Sequence, residues 1–152
     1  MVFPPSKAMA QALQEARMAA LLDEVPVGAV ITDAAGNIIA SAGNRTRELA
    51  DPTAHAELLA IRAACATLGS ERLIGCTLTV TLEPCAMCAA AIAAARLGRL
   101  VYGASDPKSG GVEAGARVFS HTQTHHRPEV IAGVAEAECA ALLKDFFAAR
   151  RD

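Results

Sequence analysis

Tryptophan is absent from the 152 residues, tyrosine occurs once and phenylalanine four times. So few aromatics exclude a surface paved with base-stacking platforms, and any stacking must rely on a handful of side chains. No apolar run reaches the ~20 residues of a membrane helix. Met1-Val2-Phe3-Pro4-Pro5 lacks the charged region and apolar block of a secretory leader, so a cytoplasmic protein is expected. An excess of one charge is missing too: the formal net charge is −2, which gives no global pull toward nucleic acid. On charge alone, the basic clusters Arg45/Arg47, His125-His126-Arg127 and Arg150/Arg151 read as solvated surface groups. Five cysteines is an odd number. Cys65, Cys76 and Cys139 lie in apolar segments and read as buried free thiols, not a disulfide frame. No repeat, low-complexity tract or linker divides the chain, so residues 1–152 read as one domain long enough to enclose a core.

What is present is an alternation of helix and strand signals in a chain that is 53% apolar and rich in alanine. Residues 6–23 read as a helix with Ser6 as N-cap and Met9, Leu13, Ala16 and Ala20 on its apolar stripe, ended by Pro26. Residues 27–31 and 38–40 form a hairpin about Ala35-Gly36-Asn37. A polar loop, 44–52, leads into a helix from His55 to about Leu68, stopped by Gly69. Then come a strand at 76–82, a helix at 85–96, a strand at 100–103, a possible short helix at 112–119, a strand at 130–133 and a terminal helix at 136–151. The strand-helix-strand run from 76 to 103 predicts a parallel pair joined by a crossover. The fold class is α/β, a three-layer α/β/α domain with a five-stranded mixed sheet.

Thr81-Leu82-Glu83-Pro84-Cys85-Ala86-Met87-Cys88 is the stretch that carries chemistry. Pro84 suits the first turn of a helix, and Cys85 and Cys88 then share one face about a turn apart. A helix start offers free N–H groups and positive dipole, both of which favour thiolates. Alone, Cys-x-x-Cys is open between a redox pair, half a metal site and two buried small residues. Thr53-Ala54-His55-Ala56-Glu57 decides it. His55 supplies a third ligand, and three protein ligands leave the fourth position of a tetrahedral zinc to water, as in catalytic sites. Glu57, two residues away at the irregular first turn of its helix, is placed as a proton shuttle. Water on such a metal has its pKa lowered toward ~7, so zinc-bound hydroxide can attack an amidine-type ring carbon while Glu57 moves protons and ammonia leaves. His-x-Glu with Pro-Cys-x-x-Cys is the signature of zinc deaminases, with one Zn2+ per subunit. His121, His125 and His126 lack a ligand spacing and read as solvent or RNA contacts.

Asp51-Pro52-Thr53-Ala54-His55-Ala56-Glu57 and Thr81–Cys88 resemble the bacterial tRNA adenosine deaminases, which convert the wobble adenosine of transfer RNA to inosine. The likeness extends through Glu24–Val30, Asn44-Arg45, Tyr102–Lys108 and Glu138–Phe147. The resemblance implies the cytidine-deaminase-like fold, a homodimer, a tRNA anticodon arm as partner and a flipped-out base in a tight pocket. It implies that Asn44 hydrogen-bonds the base and Val25 lines its pocket, with the backbone N–H of Ala56 on the base carbonyl or intermediate and Glu83 at the pocket edge. It further implies RNA contacts at Arg45, Asp106, Lys108, Phe146, Phe147, Arg150 and Arg151. Read as residues alone, Asn44 could simply cap its loop, Val25 could be core, and Phe146 and Phe147 cannot both face one way. The segment Val112–Arg127 departs from the family pattern.

Two other readings share the ligand set. One is a deaminase of a free nucleobase or nucleoside such as guanine or cytosine, which would not need Arg45, Lys108 and a basic terminal helix. The other is a zinc-stabilised binding module without turnover, against which Glu57 argues, since a structural site has no use for a carboxylate outside its ligands.

Overall fold

A computed structural model describes residues 6–150; Arg151 and the leader reading of Met1–Pro5 lie outside the described residues. The elements are α1 (Lys7–Leu21), β1 (Gly28–Thr32), β2 (Ile38–Gly43), α2 (Ala56–Leu68), β3 (Thr77–Leu82), α3 (Ala86–Ala94), β4 (Arg99–Ala104), a 3-10 turn (Val118–Ser120), β5 (Glu129–Ile131) and α4 (Glu136–Ala148). They form one five-stranded sheet in the order β2-β1-β3-β4-β5. β1 runs antiparallel to both β2 and β3, whereas β3–β4 and β4–β5 are parallel. The mixed sheet and the parallel β3–β4 pair are therefore as expected.

Helices cover both faces. Ala29, Ile31, Leu78, Val80, Leu100 and Tyr102 pack with Ala56, Ala60, Ile61 and Ala64 of α2 and Ala89, Ile92 and Ala93 of α3. Val30 points the other way, into the cluster of Met9, Ala12 and Leu13 of α1, and Cys139 of α4 lies over Gly103, where a Cβ would fall 2.4 Å from its Sγ. All five residues of β1 are buried for this reason, and the strand reads as a continuous apolar run rather than an alternating one. α1 lies so close to the sheet that a Cβ on Gly28 would come 1.9 Å from the Ala12 carbonyl oxygen. Glycine is what that approach requires.

Boundaries move where local chemistry wins. Ser6 caps α1 as expected, its hydroxyl accepting the Met9 N–H at 3.2 Å. The helix stops at Leu21, short of Pro26, because Asp23 turns left-handed (φ 62°) and the Glu24 and Asp23 N–H groups close on the Ala19 and Ala20 carbonyls. The helix expected at 112–119 is instead a series of turns ending in the 3-10 turn. Its backbone N–H groups are spent on a carboxylate, described below. Cys65, Cys76 and Cys139 are free thiols; Cys76 and Cys139 are buried, Cys65 only half so. No described helix is long and apolar enough to cross a membrane.

Candidate active site

The metal-ligand candidates come from the starts of α2 and α3. His55 is the N-cap of α2 and Cys85 that of α3, neither making a side-chain capping bond. The imidazole and sulfur are turned instead toward each other and toward Cys88, one turn into α3. His55 Nδ1 lies 3.7 Å from Cys85 Sγ and 3.5 Å from Cys88 Sγ, and the three donor atoms fall within 4.8 Å of one another. A tetrahedral zinc with Zn–N of ~2.1 Å and Zn–S of ~2.3 Å requires N···S separations of ~3.6 Å. The residues fit a zinc ion, with both helix dipoles directed at its ligands.

Asn44 fills the cap that His55 leaves. Its Oδ1 accepts the Ala56 N–H at 2.8 Å, satisfying the first orphan donor of α2 from twelve residues upstream. Asn44 thus caps, as its residue type alone allowed, while its NH2 has no partner among the described residues. The Ala56 N–H, expected on the substrate, is engaged by Asn44 here.

Glu57 follows Ala56 and turns inward, 4% exposed. Burial raises its carboxyl to about 7, against the pull of its own backbone N–H, of His55 and of the Cys88 thiol. Cys85 is drawn down to about 4 by the bond from Cys88 first and by His55 second. The Cys88 thiol is pushed up by that same bond and by burial. Zinc ligates cysteine as thiolate, so metal binding at these sulfurs releases the protons they hold. His55 is raised by its bond to Cys85, with Glu57 and Cys85 adding to it and burial opposing.

A half-buried imidazole, two cysteine sulfurs and a buried carboxyl thus gather at two helix starts. Residues 4–104 match the family described as cytidine and deoxycytidylate deaminase zinc-binding region. The chain belongs to this family. A tRNA-specific adenosine deaminase of Agrobacterium fabrum is 58% identical over 143 residues, 94% of this chain and 93% of its own. The solved structure of a tRNA:A34 deaminase, studied for A-to-I editing at the wobble position, is 59% identical with a TM-score of 0.88, covering 90% of this chain and 98% of its own. A guanine deaminase from Bacillus subtilis is 38% identical with a TM-score of 0.64, covering 68% and 66%. The fold is that of the tRNA deaminase, and the zinc-binding region of the family together with the His55, Cys85 and Cys88 cluster fits one Zn2+.

The outer candidates gather at a groove of about 700 Å³ beside the carboxyl ends of β3 and β4, where open sheets place their ligands. Val25, Leu82, Asp106, Lys108, Phe147 and Arg150 line it. Asp106 Oδ1 accepts the N–H groups of Lys108 and Ser109, a turn that holds the exposed Lys108 at the rim. Arg150 stacks 3.4 Å over the Phe146 ring and pairs with Asp23, while Phe146 and Phe147 meet edge to face at 5.3 Å. Only Phe147 lines the groove, so the two rings divide as their adjacent positions dictate. Arg45 is paired with Glu48.

His121, His125 and His126 form no metal cluster among the described residues. His121 and His126 meet the Ala116 and Leu97 carbonyls at 2.7 and 2.6 Å and pin the 116–126 segment. Two residues missed as site builders are acidic. Glu24, 1% exposed, takes the Arg47 and Glu48 N–H groups and the Thr46 hydroxyl, shaping the loop that carries Asn44. Glu113 accepts the buried Tyr102 hydroxyl. The available signal for Glu24 is an acid wedged between a helix end and Val25-Pro26.

Proposed function

We propose that this deaminase hydrolyses the wobble adenosine of tRNA to inosine, releasing ammonia. The single observation that carries the substrate is the near-complete overlap, at 58–59% identity, with proteins described as tRNA-specific adenosine and tRNA:A34 deaminases. The groove supports it, with a lysine, an arginine and an exposed aromatic on one wall system. When bound, zinc supplies a Lewis acid that makes a nucleophile available at neutral pH. Glu57 takes a proton from the attacking water and delivers it to a ring nitrogen; it then takes the second proton, from the newly added hydroxyl, and gives it to the departing amine, which leaves as ammonia. A carboxyl near 7 can serve in both directions. In this reading the Asn44 NH2, which has no partner among the described residues, donates to the base, and Val25 forms the apolar side of its pocket. Asp106, Lys108, Phe147 and Arg150 contact the RNA around it, with Arg45 and Phe146 recruited once their present partners yield.

A homodimer and a cytoplasmic setting complete the proposal. The outer face of α3, Ala86, Met87, Ala90 and Ala94, is exposed and apolar, and the helix Ala86–Ala94 carries no charged residue.

The likeness to a guanine deaminase favours a second reading, a free-base substrate. Incubating the zinc-loaded protein with anticodon stem-loops, guanine, cytosine and adenosine decides between them. Inosine at the wobble position is expected. Xanthine or uracil from free bases, with the RNA untouched, would overturn the tRNA reading.

A further inference from the structure

Glu83 follows β3, two residues before Cys85, and its side chain serves a different loop. Oε1 accepts the Asp106 N–H at 3.0 Å. Oε2 accepts those of Val112, Glu113 and Ala114 at 3.2, 2.9 and 3.0 Å. The residue is 3% exposed, so both oxygens are committed to backbone donors away from water. A carboxylate holding several N–H groups makes charge-assisted bonds, stronger than those of a neutral amide, and only a carboxylate offers acceptors on both atoms.

The loop is built around that contact. A Cβ on Gly110 would fall 2.7 Å from Glu83 Oε2 and 2.5 Å from the Asp106 carbonyl oxygen, and one on Gly111 would fall 2.4 Å from the Ala86 nitrogen. Gly111 N–H donates to the Pro84 carbonyl at 2.8 Å. The stretch from Ser105 to Ala114 is thus fastened to the junction that launches the cysteine helix, and it carries Asp106 and Lys108 to the groove.

We infer that Glu83 is a positioning residue: it fixes the 105–114 loop and, through Asp106 and Lys108, sets how tightly the RNA is held rather than how fast the base is converted. The RNA half rests on the tRNA reading above; the loop half does not. Glu83→Gln leaves one acceptor oxygen and brings an NH2 against backbone donors. In the zinc-loaded variant, amide exchange at Asp106, Val112, Glu113 and Ala114 should speed up about tenfold or more, with β1 amides unchanged. KM for the anticodon arm should rise about tenfold while kcat stays within about threefold and zinc remains stoichiometric. Gly110→Ala, which crowds the same contact from the loop side, should reproduce the pattern if Glu83→Gln folds poorly. Unchanged exchange at the four amides overturns the inference, as does lost zinc with a fallen kcat at constant KM. Should wild-type protein leave every anticodon arm unmodified, the tRNA reading and the RNA half fail, and the exchange data still decide the loop.

Discussion

Glu57 leaves 4% of its surface to solvent, and burial places its carboxyl at about 7, so it trades protons close to neutral pH. Glu57→Gln keeps the shape and removes the proton traffic. The variant should bind one zinc per chain and unfold at the wild-type temperature, while turnover on the anticodon arm falls at least about 10²–10⁴-fold. Metal analysis beside single-turnover inosine formation checks it, and near-normal turnover would take Glu57 out of the chemistry. At this scale the sequence is most readable where residues cooperate over short spacings. Cys85 and Cys88 share a helix face, and His55 and Glu57 share one first turn, so spacing and residue type suffice to name the ligands and the shuttle. Glu24 and Glu83 escape as loop organisers because their partners are backbone N–H groups 23–31 positions away, which leave no side-chain pattern to read. The resemblance puts Glu83 at the pocket edge; its contacts make it a fastening of the pocket's wall.

Glu24 and Glu83 each stand for a loop, and that ties loop order to pH. Burial alone would raise Glu24, but the Glu48 and Arg47 N–H groups and the Thr46 hydroxyl outweigh it and hold the carboxyl below the ordinary 4.5. A depressed folded value means a contribution present in full above the unfolded pKa and lost as pH falls through the folded one. Thermal unfolding followed from neutral pH downward should therefore lose stability below about pH 4.5, and Glu24→Gln should be less stable at neutral pH with a flatter acid limb. A variant whose acid limb matches wild type would show that Glu24 has no part in it. Element existence is legible from periodicity and punctuation: Ser6 caps α1, Gly69 turns left-handed after α2, and β3–β4 are parallel around a helix. Element ends are not. Asp23 stops α1 through a left-handed turn that no proline announces, and Val112–Ala114 cannot be helical while their N–H groups face Glu83.

The sheet order is the least legible feature of the whole molecule, because inserting β1 between β2 and β3 depends on side-chain packing between distant segments. It has a consequence for assembly. With β1, β3 and β4 buried on both faces by α1, α2, α3 and α4, the outside of α3 is left as an exposed apolar face without a charged residue. Met87 is 37% exposed there among exposed alanines, and grooves of about 380 Å³ flank the helix on either side, one reaching Arg96 and Val118, the other Leu58 and Arg62. If the proposed homodimer forms here, an isologous two-fold contact would set the ridge of each copy against a groove of the other. Ala90→Arg puts a long cation at the centre of that ridge, where pairing would bury it unpartnered at a cost of several kcal/mol. Sedimentation velocity at micromolar protein should find wild type as a dimer and Ala90→Arg as a monomer that still carries one zinc. A monomeric wild type would remove the dimer altogether, and a variant that stays dimeric would move the interface off α3.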